Sequence, residues 1–252
     1  MTNKDQIEKY YFDNPKIWEK LNTSRFSKES IFLQKIFERH NIMKKKILDI
    51  GCGTGSHLNI LTNLGFSGTG IDLNTNMIEY AKKKYPHLNF QIKNMKNIDY
   101  INEFDAIICL CTTFCYNTTN EDVVTTLKAF NKALKKGGLL IIETFNPITF
   151  LGKKKFINKI DESDDYKKFN LKCFVEHEID EVKQQMIEKR SFFNSKNVEV
   201  KTDITKFRLF FPQEMRYFLE TNNFILDNFY GDYNIKNIKL DTFRMITVAK
   251  KL

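Results

Sequence analysis

The sequence predicts an α/β protein with a doubly wound, mostly parallel sheet of seven strands and a small antiparallel β insertion before the last helix. Short apolar runs alternate with segments of helical period up to Phe145, and three longer runs then follow one another. Alternation of strands and helices is typical of βαβ units, and continuous apolar runs are typical of strands covered on both faces.

Five short apolar runs are predicted as the parallel strands: Lys46–Ile50, Gly68–Asp72, Leu88–Ile92, Phe104–Cys111 and Gly138–Phe145. Apolar stripes at helical spacing predict helices between them, over Ser56–Leu64, from Asn74 onward and over Glu121–Lys135. Asn74 is a favourable N-cap because its side chain can accept a backbone hydrogen bond, and Gly137-Gly138 is expected to stop the third helix.

The second half of the chain predicts the insertion and the end of the sheet. Thr149–Asp165 is expected to be a connector, followed by three antiparallel strands, Asn170–Asp180, Gln184–Asn194 and Val198–Phe210. A helix is predicted from Pro212, which suits a first helical turn, and two strands, Phe224–Tyr230 and Thr242–Ala249, are expected after it.

Composition sets the class of protein. The chain has 252 residues, 42% of them hydrophobic, and it has no apolar run near the ~18 residues of a membrane helix. We therefore expect a cytoplasmic globular protein. The net charge of +9 favours anionic partners in general without identifying one.

The five cysteines form no Cys-x-x-Cys pair. Cys109 and Cys111 would share one face of a strand, so a metal site is conceivable there. Small buried hydrophobic side chains are the favoured interpretation, and no metal is predicted.

The segment Ile47–Gly55 is the most informative, because a buried strand there leads into Gly51-x-Gly53-x-Gly55 and then into a helix. Glycines let a backbone turn tightly and approach a ligand, and ligands of open α/β sheets bind beyond the carboxyl ends of strands. The next strand ends in Asp72, seventeen residues after Gly55. A carboxylate there can accept both hydrogen bonds from a ribose diol.

A dinucleotide-binding protein is the alternative interpretation of this segment. Its fingerprint, Gly-x-Gly-x-x-Gly, would require glycine at position 56, where the chain has Ser56. Asp49 also puts a carboxylate beside the loop, which suits a positively charged ligand better than a pyrophosphate. These two features disfavour a nicotinamide cofactor.

The series of motifs resembles that of class I S-adenosylmethionine-dependent methyltransferases over nearly the whole chain. Ile47–Gly55 resembles their first motif, and the later segments that resemble theirs are Gly70–Asn74, Phe90–Met95, Phe104–Leu110 and Leu134–Gly138.

A narrower resemblance is to the branch of that family that methylates small molecules, including amino-sugar N,N-dimethyltransferases. It is carried by Gly55–Leu58, Cys111–Tyr116 and Phe210–Met215. Cys115 and Asn117 depart from that branch, which usually has Gly and Leu there.

The resemblance implies a set of site residues. Asp49 would contact the methionine amino end and Asp72 the ribose hydroxyls, while Leu73, Asn94 and Met95 would surround the adenine. The full set of implied cofactor-binding residues is Asp49, Gly51, Cys52, Gly53, Gly55, His57, Asp72, Leu73, Met77, Asn94, Met95 and Leu110. Tyr116 and Tyr11 would be the catalytic residues. The acceptor would contact Tyr116, Phe145, Asn146 and Arg208.

The implied reaction is methyl transfer from S-adenosylmethionine, with S-adenosylhomocysteine as product. The implied acceptor is a small molecule: a sugar, a nucleotide-sugar or a phosphate-bearing precursor of a capsule or surface polysaccharide, methylated on oxygen or nitrogen. A homodimer is compatible with the sequence.

Two other functions stay open. The positive charge favours nucleic-acid methylation, but neither Asn/Asp-Pro-Pro-Tyr/Phe nor a Pro-Cys pair follows the fourth strand, so nucleic acid is the less favoured acceptor. A non-catalytic S-adenosylmethionine-binding regulatory protein would keep the same motifs.

One domain with four parts is expected over residues 1–252. An N-terminal helical cap covers 1–45 and a cofactor-binding core 46–148. A β insertion that serves as a lid covers 149–210, and the C-terminal part of the core covers 211–252.

Overall fold

The structure is a computed structural model that describes residues 14–42, 45–152, 155–158 and 171–252. The helices are α1 (Pro15–Arg39), α2 (Ser56–Asn63), α3 (Thr75–Lys84), α4 (Asn120–Ala133) and α5 (Pro212–Thr221). The first five strands are β1 (Lys46–Ile50), β2 (Ser67–Asp72), β3 (Asn89–Ile92), β4 (Phe104–Cys109) and β5 (Leu134–Phe145). The remaining strands are β6 (Lys155–Asn158), β7 (Leu171–Asp180), β8 (Gln185–Asn194), β9 (Glu199–Arg208), β10 (Phe224–Tyr230) and β11 (Arg244–Lys251).

Seven strands form the main sheet, in the order β10-β11-β5-β4-β1-β2-β3. From β5 to β3 the neighbouring strands are parallel, whereas β11 runs antiparallel to both β5 and β10. The predicted doubly wound α/β fold is therefore confirmed. The order reverses between β1 and β4, and in such sheets this switch point opens a crevice at the carboxyl ends of the strands.

Consecutive residues of the central strands face opposite layers. Leu48, Ile107 and Leu140 pack into one apolar cluster with side chains of α4 and α5. Ile47, Ile108 and Ile141 pack into the other cluster with side chains of α1 and α2. Burial on both faces explains why these strands are continuous apolar runs in the sequence.

The β insertion is a separate antiparallel sheet with the order β6-β7-β8-β9. Its Met186 and Phe207 join the cluster that contains α4 and α5, so the insertion and α1 pack on opposite faces of the main sheet. Three of its strands agree with the prediction. The predicted connector is wrong at Lys155–Asn158, where a fourth strand pairs with β7. Four residues carry too little periodicity to reveal a strand whose partner lies further along the chain.

Most element boundaries also agree with the prediction. Asn74 caps α3, because its side chain accepts a hydrogen bond from the backbone of Met77 at 3.1 Å, and Pro212 is the first residue of α5. The boundary between α4 and β5 differs. The strand begins at Leu134, which pairs with Phe104, and the register shifts before Leu139, which pairs with Ala106. The expected stop of the helix at Gly137-Gly138 is therefore wrong.

Within the described part of the chain, we find no helix that combines the length and the apolar character needed to cross a membrane.

Gly55 offers a test of how tightly the loop after β1 is packed. It has φ +78°, and a Cβ there would lie 2.4 Å from Cζ of Phe90. Gly55→Ala should therefore lower the free energy of unfolding by about 2–5 kcal/mol, the sum of a left-handed backbone and an overpacked contact. Urea denaturation followed by circular dichroism measures it. Gly152→Ala is the matched control, because Gly152 has φ +76° and open space around it. Equal losses in both variants would show that Phe90 does not constrain the loop.

Candidate active site

A cavity of about 420 Å³ lies at the carboxyl ends of β1, β2 and β4, at the switch point of the sheet. Its walls come from the glycine loop after β1, the end of β2 with the start of α3, and helix α1. The β insertion, the loop after β4, the segment after β3 and the end of β5 complete them. Elements on both faces of the sheet therefore enclose the strand ends.

The glycine loop, Gly51–Gly55, forms the floor. The N–H groups of Gly51 and Cys52 donate to the carbonyl of Ile71 at 2.8 and 3.0 Å, which ties the loop to β2. Gly51 and Gly53 have φ of +69° and +52° and line the cavity. A Cβ at Gly51 would lie 2.5 Å from Oγ1 of Thr113, so only glycine fits there without a shift.

Asp72 ends β2 and lines the cavity. Its Oδ2 accepts from the N–H of Gly53 at 2.9 Å, and its Oδ1 accepts from the N–H of Asn74 at 2.8 Å. Burial raises the pKa of Asp72, and these backbone hydrogen bonds oppose the increase. A carboxylate accepts about four hydrogen bonds, so Asp72 retains capacity for the two hydroxyls of a ribose.

Asp49 is a buried carboxylate in β1, two residues before the loop and 2% exposed. Its Oδ2 has no hydrogen-bond partner among the described residues. Burial raises the pKa of Asp49 to about 6, an increase that His57 opposes and the Asp72 carboxylate reinforces. A buried polar oxygen without a donor is unfavourable, so this position fits a ligand that brings a positive charge or a donor.

Helix α1 supplies Trp18, Asn22 and Arg25 to the cavity. The Trp18 ring covers the loop, because a Cβ at Gly53 would lie 3.5 Å from it. Nε of Arg25 is 2.7 Å from Oε1 of Glu29. None of these residues was predicted as a site residue, since nothing in the sequence connects a helix near the start of the chain to the loop. The only signal is that Trp18 is the one tryptophan of the chain.

The insertion supplies Glu188, Arg190, Asp203, Thr205 and Phe207. These were not predicted either, because alternation along a strand does not reveal which face meets a cavity.

The Glu188 carboxylate is held by two neighbours. Its Oε1 lies 2.8 Å from Nη2 of Arg190, and its Oε2 lies 3.1 Å from Nε2 of His177. Hydrogen bonding and charge from these partners lower the pKa of Glu188 against the opposing effect of burial.

Aromatic rings connect the insertion to the main sheet. The Phe207 ring is 5.2 Å from that of Tyr116 and 5.3 Å from that of Phe145, between ring centroids. All three residues line the cavity, so the structure brings Tyr116 and Phe145, both predicted to contact the acceptor, to the same wall.

Eight of the predicted site residues line the cavity: Gly51, Gly53, Asp72, Leu73, Met77, Met95, Tyr116 and Phe145. The predicted Tyr11 lies outside the described residues.

Two of the residues predicted to contact the acceptor, Asn146 and Arg208, are not among the residues that line the cavity. The Asn146 side chain is fully buried and donates to the carbonyls of Leu240 and Thr242 at 3.0 and 2.8 Å. Arg208 pairs with Glu214 at 2.5 Å and its guanidinium lies over the ring of Phe210. Both side chains stabilise neighbouring segments and do not line the cavity.

Five predicted cofactor contacts are supporting residues in the structure. Cys52 packs where a Cβ of Gly70 would lie, and Gly55 lies against Phe90. Nε2 of His57 is 2.6 Å from Glu29. Asn94 and Leu110 are not among the lining residues either, although Asn94 lies between Lys93 and Met95, which are. The Asn94 side chain accepts from the N–H of Lys96 at 2.9 Å, and Leu110 is buried in the apolar cluster under α1. Asp49 lies beneath the loop and not on the cavity surface.

Residues 47–138 match a family model described as a methyltransferase domain. An S-adenosylmethionine-dependent methyltransferase of Clostridium acetobutylicum superposes with a TM-score of 0.76 at 20% identity, over 93% of this chain and 96% of that protein. This is the class I S-adenosylmethionine-dependent methyltransferase fold. The amino pentose methyltransferase of Micromonospora echinaspora, solved with S-adenosylmethionine bound, has the same methyltransferase fold, with a TM-score of 0.72 at 19% identity over 94% and 97% of the two chains.

Sequence relatives match a shorter part of the methyltransferase fold. The dTDP-4-amino-2,3,4,6-tetradeoxy-D-glucose N,N-dimethyltransferase of Saccharopolyspora spinosa is 31% identical over 99 residues, which is 39% of this chain and 42% of that protein. The chain spans about half the length of the curated relatives it matches.

The residues present fit the cofactor of this methyltransferase fold. The unpartnered Oδ2 of Asp49 suits its positive charge, and Asp72 has acceptor capacity for its ribose. Leu73 is an apolar side chain with 60% exposure at the cavity, and a flat adenine would cover it.

The buried carboxylate of Asp49 gives a pH test. Its charge is lost as the pH falls through about 6, so the affinity for S-adenosylhomocysteine, whose amino group is cationic, should decrease below that pH. The decrease should reach up to about tenfold per pH unit below 6. Calorimetric titration between pH 5 and 8 measures it.

Asp49→Asn should weaken binding at pH 8 and flatten the profile. Asp180→Asn is the control, because Asp180 pairs with Lys183 in the turn after β7 and neither residue lines the cavity. An unchanged slope in Asp49→Asn would contradict the assignment.

Proposed function

We propose that this chain is an enzyme that transfers a methyl group from S-adenosylmethionine to a small-molecule acceptor. The observation that carries the proposal is a single cavity in which the glycine loop and Asp72 face the acidic and aromatic wall of the insertion. One end suits the cofactor and the other suits an acceptor, so the two reactants would meet inside the same enclosure.

At the cofactor end, Asp72 would bind the ribose hydroxyls, and Leu73 and Met95 would cover the adenine. Asp49 would balance the charge of the methionine end from beneath Gly51 and Gly53. Trp18, Asn22 and Arg25 would close this end from α1. This distribution is supported by the presence of all but Asp49 on the cavity walls.

Bound S-adenosylmethionine supplies a methyl group on a sulfonium that is already activated. The chain therefore needs to orient the acceptor and exclude water, and proximity of this kind contributes most of the rate in many bimolecular reactions. The rings of Tyr116, Phe145 and Phe207 would provide a dry wall for the acceptor. The insertion would act as a lid over the acceptor and not over the cofactor.

The acceptor wall favours nitrogen over oxygen as the methylated atom. Glu188 and Asp203 bring two carboxylates to the wall, where Arg190 pairs with Glu188 and Lys201 lies 3.9 Å from Asp203, and aromatic rings border them. Carboxylates and ring faces both attract an amino group that carries or develops positive charge. An amino sugar, free or nucleotide-linked, is the proposed acceptor class, with a surface-polysaccharide precursor as its source. Relatives named as amino-sugar methyltransferases support this class.

A nucleic-acid acceptor is the second candidate, favoured only by the net charge of +9. On the acceptor wall the carboxylates of Glu188 and Asp203 oppose a phosphodiester backbone, and the cations of Arg190 and Lys201 beside them offset that repulsion, so the wall adds no support for this candidate.

Two measurements on the unmodified chain test the proposal. Calorimetry should detect binding of S-adenosylmethionine and S-adenosylhomocysteine but not of NAD, and preference for NAD would reject it. Methyl-labelled S-adenosylmethionine is then offered with dTDP-amino-sugars, matched dTDP-sugars without an amine, and total RNA. Transfer to the amino-sugars alone is expected. Transfer to RNA would favour the second candidate, and binding without transfer to any acceptor, including cell extract, would indicate a non-catalytic protein.

Tyr116 is expected to orient the acceptor and not to act as a base. Burial raises the pKa of the Tyr116 phenol above its usual value, and the nearby charge of Glu188 adds to this effect, so the phenol is a poor base near neutrality. Tyr116→Phe should reduce kcat by about 10–100-fold and leave cofactor affinity nearly unchanged. Turnover is measured across pH with saturating acceptor for both forms. A pH limb that disappears with the hydroxyl would identify Tyr116 as the base.

Glu188 is expected to bind the acceptor amine. Glu188→Gln keeps the shape but removes the charge, so KM for an amino-sugar should rise at least about tenfold, since a hydrogen bond to a charged group contributes about 1.5–3 kcal/mol. The dissociation constant for S-adenosylhomocysteine should stay the same. Glu176→Gln on the neighbouring strand is the matched control, because that side chain is 51% exposed and pairs with Lys189. Equal weakening of cofactor and acceptor would reject the division of the cavity into two ends.

A further inference from the structure

Glu143 is a buried carboxylate that the reaction does not use. It lies on β5, 1% exposed, and is not among the cavity-lining residues. By strand alternation it faces the layer of Leu139 and Ile141, which is the apolar cluster under α1. A charge in such a place is strongly unfavourable unless partners compensate it. Its partners therefore indicate what it does.

Three segments of the chain meet at this one carboxylate, two through hydrogen bonds and one through an ion pair. Oε2 accepts from the N–H of Cys111 at 2.7 Å and from the hydroxyl of Tyr233 at 2.5 Å. Oε1 accepts from Nε of Arg244 at 2.9 Å. Nη2 of Arg25, from α1, lies 3.8 Å from Oε2. Glu143 thus links the loop after β4, helix α1 and the C-terminal segment.

The loop after β4, Cys111–Tyr116, is held in an unfavourable backbone conformation. Cys111 and Thr112 have φ of 52° and 58°, two consecutive left-handed residues that are not glycine. Such residues cost roughly 1–2 kcal/mol each and persist only where surrounding contacts hold them. Cys111 is the first of these two residues, and its backbone N–H donates to Glu143. Glu143 is therefore one of the contacts that hold this conformation.

The same loop shapes the cavity. Thr113 packs where a Cβ of Gly51 would lie, so the loop limits the position of the glycine floor. Tyr116 ends the loop and faces the acceptor wall. A small change at Cys111 would therefore move both ends of the cavity.

Arg25 is held from the other side. Its guanidinium lies between Glu29 and Glu143, and Arg25 lines the cavity near the glycine loop. Without the charge of Glu143, the guanidinium would keep only Glu29 as an acidic partner among the described residues. Its side chain could then turn toward the cavity.

We propose that Glu143 is a positioning residue of the methyl-transfer site: from outside the cavity, it holds the Cys111–Tyr116 loop and Arg25 in the geometry that the cofactor requires. The effect on cofactor binding rests on the proposed function. The claim that Glu143 holds the loop and Arg25 can be tested without any ligand.

The test variant is Glu143→Gln. One amide oxygen can still accept from Cys111, but the NH₂ group then faces donors, and Arg25 and Arg244 lose the negative charge. Glu103→Gln is the matched control, because it also breaks an ion pair, with Lys46, but the Glu103 side chain is 37% exposed and away from the cavity.

The first readout is the rate at which a thiol reagent labels Cys111 in the absence of ligand. The other four cysteines are buried, and Cys111 is the partly exposed one. Glu143→Gln should raise this rate at least about tenfold, as expected for loss of charged hydrogen bonds. A Cys111→Ser companion of each form assigns the signal. Repeating the labelling at low urea separates local opening, which is insensitive to urea, from global unfolding.

The second readout uses Trp18, the single tryptophan, which lies on the cavity wall. Its fluorescence reports the titration with S-adenosylhomocysteine. Glu143→Gln should weaken binding about tenfold, equivalent to about 1.4 kcal/mol, while Glu103→Gln should match the unmodified chain.

The outcomes are distinct. Labelling and binding that both match the control would overturn the role of Glu143, as would a labelling increase that tracks global unfolding or occurs without weaker binding. If the unmodified chain does not bind S-adenosylhomocysteine, the proposed function fails, and the labelling rate still decides whether Glu143 holds the loop.

Should Glu143→Gln not fold, Tyr233→Phe removes one donor from the same oxygen and keeps the charge. It should raise the labelling rate about threefold, because the free energy contributed by one hydrogen bond corresponds to a change of about that size. An unchanged rate would overturn the proposal.

Discussion

The glycine loop after β1 can exist only where the packing around it admits no side chain. Thr113 occupies the space beside Gly51, and Phe90 occupies the space beside Gly55. The backbone N–H groups of Gly51 and Cys52 are fixed to Ile71, so the loop follows the end of β2 closely. Because β2 ends in Asp72, the same packing delivers a carboxylate to the loop. The cavity at the switch point of the parallel sheet is therefore built around the contact between the glycine loop and the end of β2.

Buried charge organises the surroundings of the loop. Asp49 and Glu143 lie on strands beneath α1, and each would destabilise the fold if left unpaired. Glu143 has its donors within the protein, and it links separate segments. Asp49 has an oxygen without a partner among the described residues. The paired carboxylate thus contributes to the architecture, and the one with spare capacity marks where a cationic ligand would be stabilised.

The two walls of the cavity belong to different parts of the chain, and their chemistry differs accordingly. Helix α1 covers the end at the glycine loop with Trp18 and Arg25, whereas β8 and β9 border the other end with carboxylates and aromatic rings. The insertion packs onto the main sheet through Met186 and Phe207, on the face opposite α1. Changes in the insertion can therefore alter the acceptor wall without disturbing the loop, which is a general reason why one fold serves many acceptors.

Local chemistry made much of the fold predictable from the sequence. The parallel strands are continuous apolar runs because both faces are covered, Asn74 caps a helix through its own side chain, and the glycines with Asp72 follow a fixed spacing along adjacent strands. Contacts between distant segments were not predictable. The pairing of Lys155–Asn158 with β7, the approach of Trp18 to Gly53 and the arrival of Glu188 in the cavity depend on packing between elements far apart in the chain. The surroundings of Asn146 and Arg208 were not predictable for the same reason. The Asn146 amide is bonded to backbone carbonyls of a distant segment, and the Arg208 guanidinium is paired with Glu214. The sequence by itself determined the sheet and the cofactor loop, because short-range periodicity and backbone conformation encode them. The tertiary structure alone decided which charges meet in the cavity, because that depends on how helices and strands pack across the whole domain.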